Sequence, residues 1–294
     1  MSDILVPALV RNPHGTHLSL KMLVWIHRQH AETEANFPVV TDGGWSILPS
    51  RLLPIYYVPL LQQRRLLMQP LLFHEFGHQL HLIHKTELDE LIREFQIVVL
   101  RKLNLPLASN DRYYERQLTK HHQIALTWYS WLAELFCDAV GFQIGGPCYL
   151  RSFSFALTSM RRDDFRIEQE FIMGSSHPVP WLRVQLLAKR AESAGFVDIA
   201  KRIRAVWSET AAALNIEEDY YGMYDEVLEQ DVIQIIDDML IETNPRSYTE
   251  TELATTNANI LFSPIRLLNK AWEIHEAKPD AYIEWEKQMI SQYL

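Results

Sequence analysis

The sequence predicts a mainly α-helical fold with at most a small β edge in the first 60 residues. Apolar residues recur at helical spacing along most of the 294 residues, and no convincing run that alternates apolar and polar residues follows residue 60. Residues 37–59 are the exception, because four prolines and the pair Gly43-Gly44 exclude a continuous helix there. We therefore expect any strand to lie within that segment.

Ten segments have the periodicity of amphipathic helices, and several begin with residues that favour a helix start. Ser263-Pro264 is one example, because serine can cap a helix and proline fits the first turn, where its missing N–H would have no partner. In chain order the predicted helices are His17–Glu34, Pro70–His84, Glu87–Leu103, Asp111–Gln143, Pro147–Met160, Pro178–Ala194, Val197–Leu214, Asp219–Ile241, Pro264–Ala277 and Pro279–Tyr293.

The last third of the chain continues this helical pattern. Asn244-Pro245 is the best candidate for a seam between domains, but the helices on either side are too amphipathic to be stable alone. We expect a first domain at residues 1–194. A helical extension at residues 195–294 packs on it or continues it as one domain.

Composition and charge narrow the range of functions. The net charge of -9 and the pI near 5.7 argue against a nucleic-acid partner, since phosphate contacts need clustered Lys and Arg. Cys137 and Cys148 are too few for a disulfide framework, which suggests a reducing compartment. We expect a cytoplasmic protein.

The sequence predicts neither export nor a membrane span. The first ten residues carry Asp3 where a signal peptide would be positively charged. Residues 128–150 are apolar, but Glu134 and Asp138 lie near their centre and a Gly-Gly-Pro run would break a spanning helix. A buried core helix is the better interpretation of this segment.

Residues 74–78 read HEFGH, which has the pattern HExxH on a predicted helix. The i, i+4 spacing puts the Cβ atoms of His74 and His78 about 5–6 Å apart on one face, so that both imidazoles can reach one metal ion. Glu75 lies beside them, where it can take a proton from a water whose pKa the ion has lowered to about 7. An apolar stripe on the opposite face would hold the helix in the core: Leu72, Phe76, Leu80 and Ile83. Short motifs also occur by chance, so the interpretation depends on a third ligand.

His84 is the nearer candidate for that third ligand. Residues 74–84 have the outline HExxHxxGxxH of the metzincins, but His81 occupies the glycine position, where the chain would have to leave the helix. If the helix continues instead, His84 lies about 15 Å along the axis from His74 and is rotated away from it. His84 could not then bind the same ion.

Glu134 is the second candidate. Glu134 and Asp138 share one face of an otherwise apolar helix, where unpaired carboxylates would be costly. Zinc bound by Glu134, with Asp138 accepting the second N–H of a ligand histidine, would satisfy both acids. The alternative is that both acids pair with a buried Arg or Lys in a structural network. Alongside the pentapeptide, we expect Glu134 to be the ligand.

A third feature lies at residues 176–183, which read SHPVPWLR. Pro178 can start a helix, which leaves His177 at its beginning and Arg183 about one and a half turns inside. His177 could donate to a developing oxyanion, and Arg183 could support a carboxylate such as Asp138 or Glu134. Taken alone, the same residues are typical of an ordinary helix start and a solvated arginine.

Together the three segments resemble a known family. HExxH, then ExxxD on a helix, then HPxxxxR is the pattern of the gluzincin peptidases related to HtpX and the CAAX prenyl endopeptidase. The resemblance spans residues 74–183 and implies a zincin-type helical core, without the transmembrane helices of many relatives. It also implies roles for seven residues: His74, His78 and Glu134 bind one zinc ion, Glu75 is the general base, Asp138 lies behind the ligands, and His177 and Arg183 belong to the far wall of the site.

The sequence therefore predicts a zinc-dependent endopeptidase with one zinc ion per chain and protein or peptide substrates. A second hypothesis is a cytosolic regulatory protease that cleaves one specific partner, such as a repressor. A third is a non-catalytic helical binding protein with a vestigial or structural metal site. Glu75 argues against the third, because a structural site needs no base and usually has four protein ligands. The C-terminal helices are a candidate surface for a regulatory partner.

Overall fold

The protein is mainly α-helical with one small sheet near its N-terminus, as the sequence predicts. A computed structural model describes residues 17–103, 120–159, 167–216, 220–254 and 259–294. The α-helices in these ranges are α1 (His17–His27), α2 (Leu72–Ile83), α3 (Lys85–Lys102), α4 (Lys120–Gly145), α5 (Pro147–Thr158), α6 (Gln169–Ile172), α7 (Pro180–Ser193), α8 (Val197–Ala213), α9 (Glu229–Thr243), α10 (Glu250–Leu253), α11 (Pro264–Ala277) and α12 (Pro279–Tyr293). Short 3-10 helices lie at Leu66–Leu71, Glu226–Leu228 and Ile260–Phe262.

The sheet lies inside the segment that the prolines and glycines exclude from a helix. Its strands are β1 (Val39–Asp42), β2 (Ser46–Leu48) and β3 (Ile55–Val58). The spatial order is β1-β3-β2, with β3 parallel to β1 and antiparallel to β2. A Cβ at position 43 would lie 2.8 Å from the Tyr57 ring, so the turn after β1 requires Gly43.

The chain divides into two compact units. The first contains Met1–Ile83, Val140–Ala156 and Pro245–Leu294, and thus the sheet, α2 and the C-terminal helices α10, α11 and α12. Its fully buried side chains come from α1, β3 and α2 among others: Leu18, Met22, Leu23, Ile26, Tyr56, Phe73 and Phe76. The core of this unit therefore surrounds the helix that carries the HExxH pentapeptide.

The second unit contains His84–Ala139 and Leu157–Asn244. Within it α7 packs against α8, and α3 packs against α9. An aromatic cluster joins α3 to α4, with the Trp128 ring 5.4 Å from Phe95 and 5.3 Å from Trp131. The domain boundary that the sequence analysis put at residue 194 stays a prediction.

Helix boundaries differ from the sequence prediction where side chains bind the backbone. α1 ends at His27 rather than Glu34, and the Thr33 hydroxyl donates to the His27 carbonyl at 2.8 Å. Residues 226–243 are helical and residues 220–225 are not, because Asp225 caps the helical segment that follows it. The predicted helix boundaries at Asp111, Met160 and Asp219 lie outside the described residues. No helix in the described ranges combines the length and the apolar composition that crossing a membrane requires.

Candidate metal centre

Helix α2 presents the pentapeptide from a buried element. Its apolar face is buried, with Leu72, Phe76 and Leu80 fully inaccessible. His74 and Glu75 are 8% and 6% exposed, and His78 is half-buried. The imidazole rings of His74 and His78 lie 5.1 Å apart and nearly perpendicular, as expected for residues one turn apart on one face.

Glu134 on α4 completes a group of three potential metal ligands. One ligand atom from each of His74, His78 and Glu134 lies within 4.8 Å of the others, and Glu134 is buried. A tetrahedral zinc site places neighbouring ligand atoms about 3.3 Å apart, since each ligand atom lies about 2.0–2.1 Å from the ion. Small side-chain rotations would close this difference. The group could therefore hold a metal ion.

The structure distinguishes between the two candidates for the third ligand. α2 continues through His81, the glycine position of the metzincin outline, and ends at Ile83. His84 is the first residue after it, with φ -96° and ψ 26°, and lies outside the ligand group. Because the chain does not leave the helix at His81, His84 cannot turn back towards His74.

Asp138, one turn after Glu134, is paired with Arg183. Arg183 donates from Nε to Asp138 Oδ2 and from Nη2 to Oδ1, both at 2.8 Å. The same Nη2 lies 3.8 Å from Glu134 Oε2. These side chains are at most 11% exposed, so both carboxylates face the guanidinium where solvent is largely excluded. The acids of the apolar helix thus have a cationic partner.

Arg183 lies closer to the start of its helix than the sequence analysis expected. α7 begins at Pro180, not Pro178, and Val179 is its N-cap with φ -49° and ψ 126°. The clash with a proline ring disfavours the α-helical conformation at the residue before it, and Val179 precedes Pro180. Arg183 therefore lies in the first turn of α7.

His177 lies just before α7, beside Glu134. Its Nε2 is 3.4 Å from Glu134 Oε2, its Nδ1 is 2.8 Å from the Ser176 hydroxyl, and its side chain is 58% exposed. When Ser176 donates to Nδ1, the ring proton is on Nε2 and faces Glu134. Ser176 was not among the predicted site residues, and its sequence position alone gives no reason to select it.

Two side chains of α4 hold the loop that precedes His177. The Gly174 backbone N–H donates to the Thr127 hydroxyl at 2.8 Å, and Trp131 Nε1 donates to the Ser175 hydroxyl at 2.9 Å. Thr127 and Trp131 lie seven and three residues before Glu134, which places all three on one side of α4. The loop is therefore fixed to the helix that carries the glutamate.

Glu75 lies near a buried polar pair that the sequence analysis did not identify. The Tyr56 hydroxyl of β3 is 2.8 Å from His27 Nε2. Burial, and secondarily the negative charge of Glu75, raises the pKa of Tyr56 well above its usual value. Tyr56 and His27 come from β3 and α1, so only tertiary packing brings them near the pentapeptide.

The next residue after the motif also has a structural role. The Gln79 side-chain amide donates to the Ser50 carbonyl at 2.8 Å and accepts from the Ser50 backbone N–H at 3.1 Å. This pair binds α2 to the segment after β2. The position of Gln79 next to His78 marks it as a candidate site residue, but the sequence does not identify its partner.

Comparisons of this chain with protein-family models, with curated proteins and with solved structures find no match.

Proposed function

We propose that this chain is a zinc-dependent endopeptidase in which Glu75 is the general base. The supporting observation is that the donor atoms of His74, His78 and Glu134 lie within 4.8 Å of one another. Glu134 lies more than fifty residues after His78 in the sequence, so its place beside the pentapeptide is support that does not depend on the HExxH match itself.

The donor set favours zinc and a catalytic rather than a structural site. Two imidazoles and one carboxylate are a known ligand set of catalytic zinc, which keeps a fourth position for water. Structural zinc sites instead have four protein ligands. When bound, zinc would act as a Lewis acid and would lower the pKa of a water molecule to about 7.

Glu75 is the residue to which we assign proton transfer. Its carboxylate follows the ligand His74 directly and lies in the buried part of α2. In peptide hydrolysis it would accept a proton from the attacking water and deliver it to the nitrogen of the leaving amine.

His177 and Arg183 have different roles in this proposal. His177 is exposed enough to meet a substrate, so its Nε2 is suited to donate to the oxyanion that develops on the scissile carbonyl. Arg183 is buried and holds Asp138 and the Oε2 side of Glu134, so it acts in the resting protein. These assignments follow the resemblance to the gluzincin peptidases related to HtpX.

We further propose protein or peptide substrates and a cytoplasmic location. Both cysteines of the chain, Cys137 and Cys148, are free and buried, which is typical of proteins in a reducing compartment. The pKa of the Cys148 thiol is raised by burial, which makes it a poor nucleophile. The hydrolytic chemistry is thus assigned to the metal group.

The test compares the wild type with Glu75→Gln. Both proteins are loaded with zinc and incubated with a denatured protein and with cell lysate, and new peptide termini are mapped. We expect new termini from the wild type alone, with zinc content and melting temperature retained in Glu75→Gln, since the amide cannot accept the proton. Termini from both proteins would exclude Glu75 as the base. A zinc-loaded wild type that generates none would favour the non-catalytic binding protein.

A further inference from the structure

The helix that carries His74 and His78 is preceded by a buried helical segment. The 3-10 helix Leu66–Leu71 runs directly into α2, and we call residues 66–83 the helical rod. The first N–H groups of any helix have no partner within it, and leaving them buried and unpaired is costly. Arg65, the N-cap residue, provides no side-chain acceptor. The acceptor must therefore come from elsewhere in the chain.

Glu286 of α12 supplies this acceptor. Its Oε1 accepts a hydrogen bond from the Leu66 backbone N–H at 2.7 Å, and its Oε2 accepts one from Arg65 Nη1 at 3.1 Å. The Tyr282 hydroxyl also donates to Oε1 at 2.7 Å, which fixes the orientation of the carboxylate. Glu286 is 3% exposed. A buried negative charge at the start of the rod also interacts favourably with the helix dipole.

A second anchor acts one residue further along the rod. In a 3-10 helix the Leu67 carbonyl would accept from residue 70, but Pro70 has no N–H. The Ser152 hydroxyl of α5 donates to this carbonyl at 2.6 Å, and Trp272 Nε1 of α11 donates to the Ser152 hydroxyl at 3.0 Å. Three helices that follow the metal motif in sequence thus hold the beginning of the rod.

We propose that Glu286, together with Ser152, positions the metal ligands by fixing the start of the helical rod. From Leu66 to His74 the rod rises about 15 Å, with no loop that could absorb a displacement. Metal ligands must be held within about 0.5 Å of their working positions. A shift or rotation at Leu66 therefore reaches both imidazoles. The inference rests on the metal centre of the proposed function and does not depend on proton transfer by Glu75.

The test measures zinc affinity and the visible absorption spectrum of the Co²⁺-substituted full-length protein. Glu286→Ala removes the acceptor, and we expect zinc affinity to fall about 10–100-fold, as when other supports of metal ligands are removed. The Co²⁺ bands should shift, because the ligand geometry changes. Glu286→Gln keeps a carbonyl oxygen that can accept from Leu66, so we expect its affinity and spectrum to resemble those of the wild type.

Ile290→Ala is the matched control, because Ile290 is buried one turn further along α12. Its truncation leaves a cavity that lowers the melting temperature but keeps the acceptor, so zinc affinity and the Co²⁺ spectrum should not change. Ser152→Ala removes the second anchor and should change both measurements in the same direction as Glu286→Ala. It decides the question if Glu286→Ala does not fold.

If Glu286→Ala and Ser152→Ala fold and bind zinc as tightly as the wild type, the proposal is overturned, since the anchors would then stabilise the fold without positioning the ligands. An equal loss of affinity in Ile290→Ala would overturn it too. A wild type that binds zinc without cleaving peptides contradicts the endopeptidase proposal and leaves this one in place. A wild type that binds no zinc contradicts both.

Discussion

Arg183 and Asp138 are joined by two parallel hydrogen bonds, Nε to Oδ2 and Nη2 to Oδ1, each 2.8 Å long. This two-point geometry fixes both the position and the rotation of the guanidinium. The same guanidinium lies 3.8 Å from Glu134 Oε2, so it also faces the carboxylate of the metal group. A structural ion pair and a candidate metal ligand therefore share one arginine, and the structural and functional interpretations of the two acids do not exclude each other.

The first prediction concerns this pair. Arg183→Ala should lower the free energy of unfolding by about 3–5 kcal/mol, because it leaves the buried Asp138 carboxylate without its cationic partner. Arg190→Ala is the matched control on the same helix, since its partner Asp237 is 43% exposed and such pairs contribute less than about 1 kcal/mol. Urea denaturation of both variants measures the difference. Equal effects would mean that burial of the Arg183 pair adds nothing.

The second prediction concerns the metal ligands. Purified protein should bind about one zinc ion per chain, and His74→Ala or Glu134→Ala should weaken binding by more than the 10–100-fold typical of lost supporting residues. His84→Ala should bind zinc like the wild type, because His84 lies outside the ligand group. Isothermal titration with a competing chelator provides the affinities. Loss of zinc in His84→Ala, with Glu134→Ala unaffected, would favour the metzincin interpretation.

Local spacing explains why part of this site could be predicted from the sequence. His74 with His78, and Glu134 with Asp138, are each one helical turn apart, and a helix fixes that relation wherever it packs. The fold class followed for the same reason, since helical periodicity is local. The choice of Glu134 over His84 also depended on a local fact, namely that His81 keeps α2 helical.

The remaining features depend on contacts that no local pattern encodes. Leu66 and its acceptor Glu286 are 220 residues apart. Tyr56 reaches His27 only because β3 and α1 pack together. The start of α7 is a local exception: it lies two residues later than predicted, because Pro180 disfavours a helical conformation at Val179.

The third prediction concerns pH. Burial, with a smaller contribution from the charge of His30, lowers the pKa of His27 to about 4 from its usual 6.5. The unfolded chain therefore takes up a proton between pH 6.5 and 4 that the folded protein does not. This proton uptake does not affect the free energy of unfolding above pH 6.5. As the pH falls it favours the unfolded chain, and it lowers the free energy of unfolding by about 2 kcal/mol at pH 5.

His27→Gln should remove this part of the pH dependence, because an amide can still bond the Tyr56 hydroxyl but does not titrate. Urea denaturation at pH 7.5 and pH 5 measures the difference for each protein. Arg204 lowers the pKa of Glu192, so Glu192 also loses stabilisation in acid, but it does so equally in both proteins and cancels in the comparison. The same loss between the two pH values in His27→Gln and wild type would contradict the assignment to His27.

The last prediction concerns His177 as an oxyanion donor. A hydrogen bond to the oxyanion strengthens only as charge develops in the transition state, so His177→Ala should lower kcat by about 10²–10³ with little change in KM. His177 Nε2 lies 3.4 Å from Glu134 Oε2, but His177 is outside the ligand group, so zinc content should stay normal.

Ser176→Ala is the graded control. It removes the 2.8 Å partner of Nδ1 but keeps the donor, so its effect on kcat should be smaller. Steady-state kinetics on a defined peptide, with metal analysis of each variant, provides the measurement. A His177→Ala variant that cleaves at the wild-type rate would reduce the HPxxxxR match to a helix start with a buried arginine, and the resemblance to the gluzincin peptidases would then depend on residues 74–138 alone.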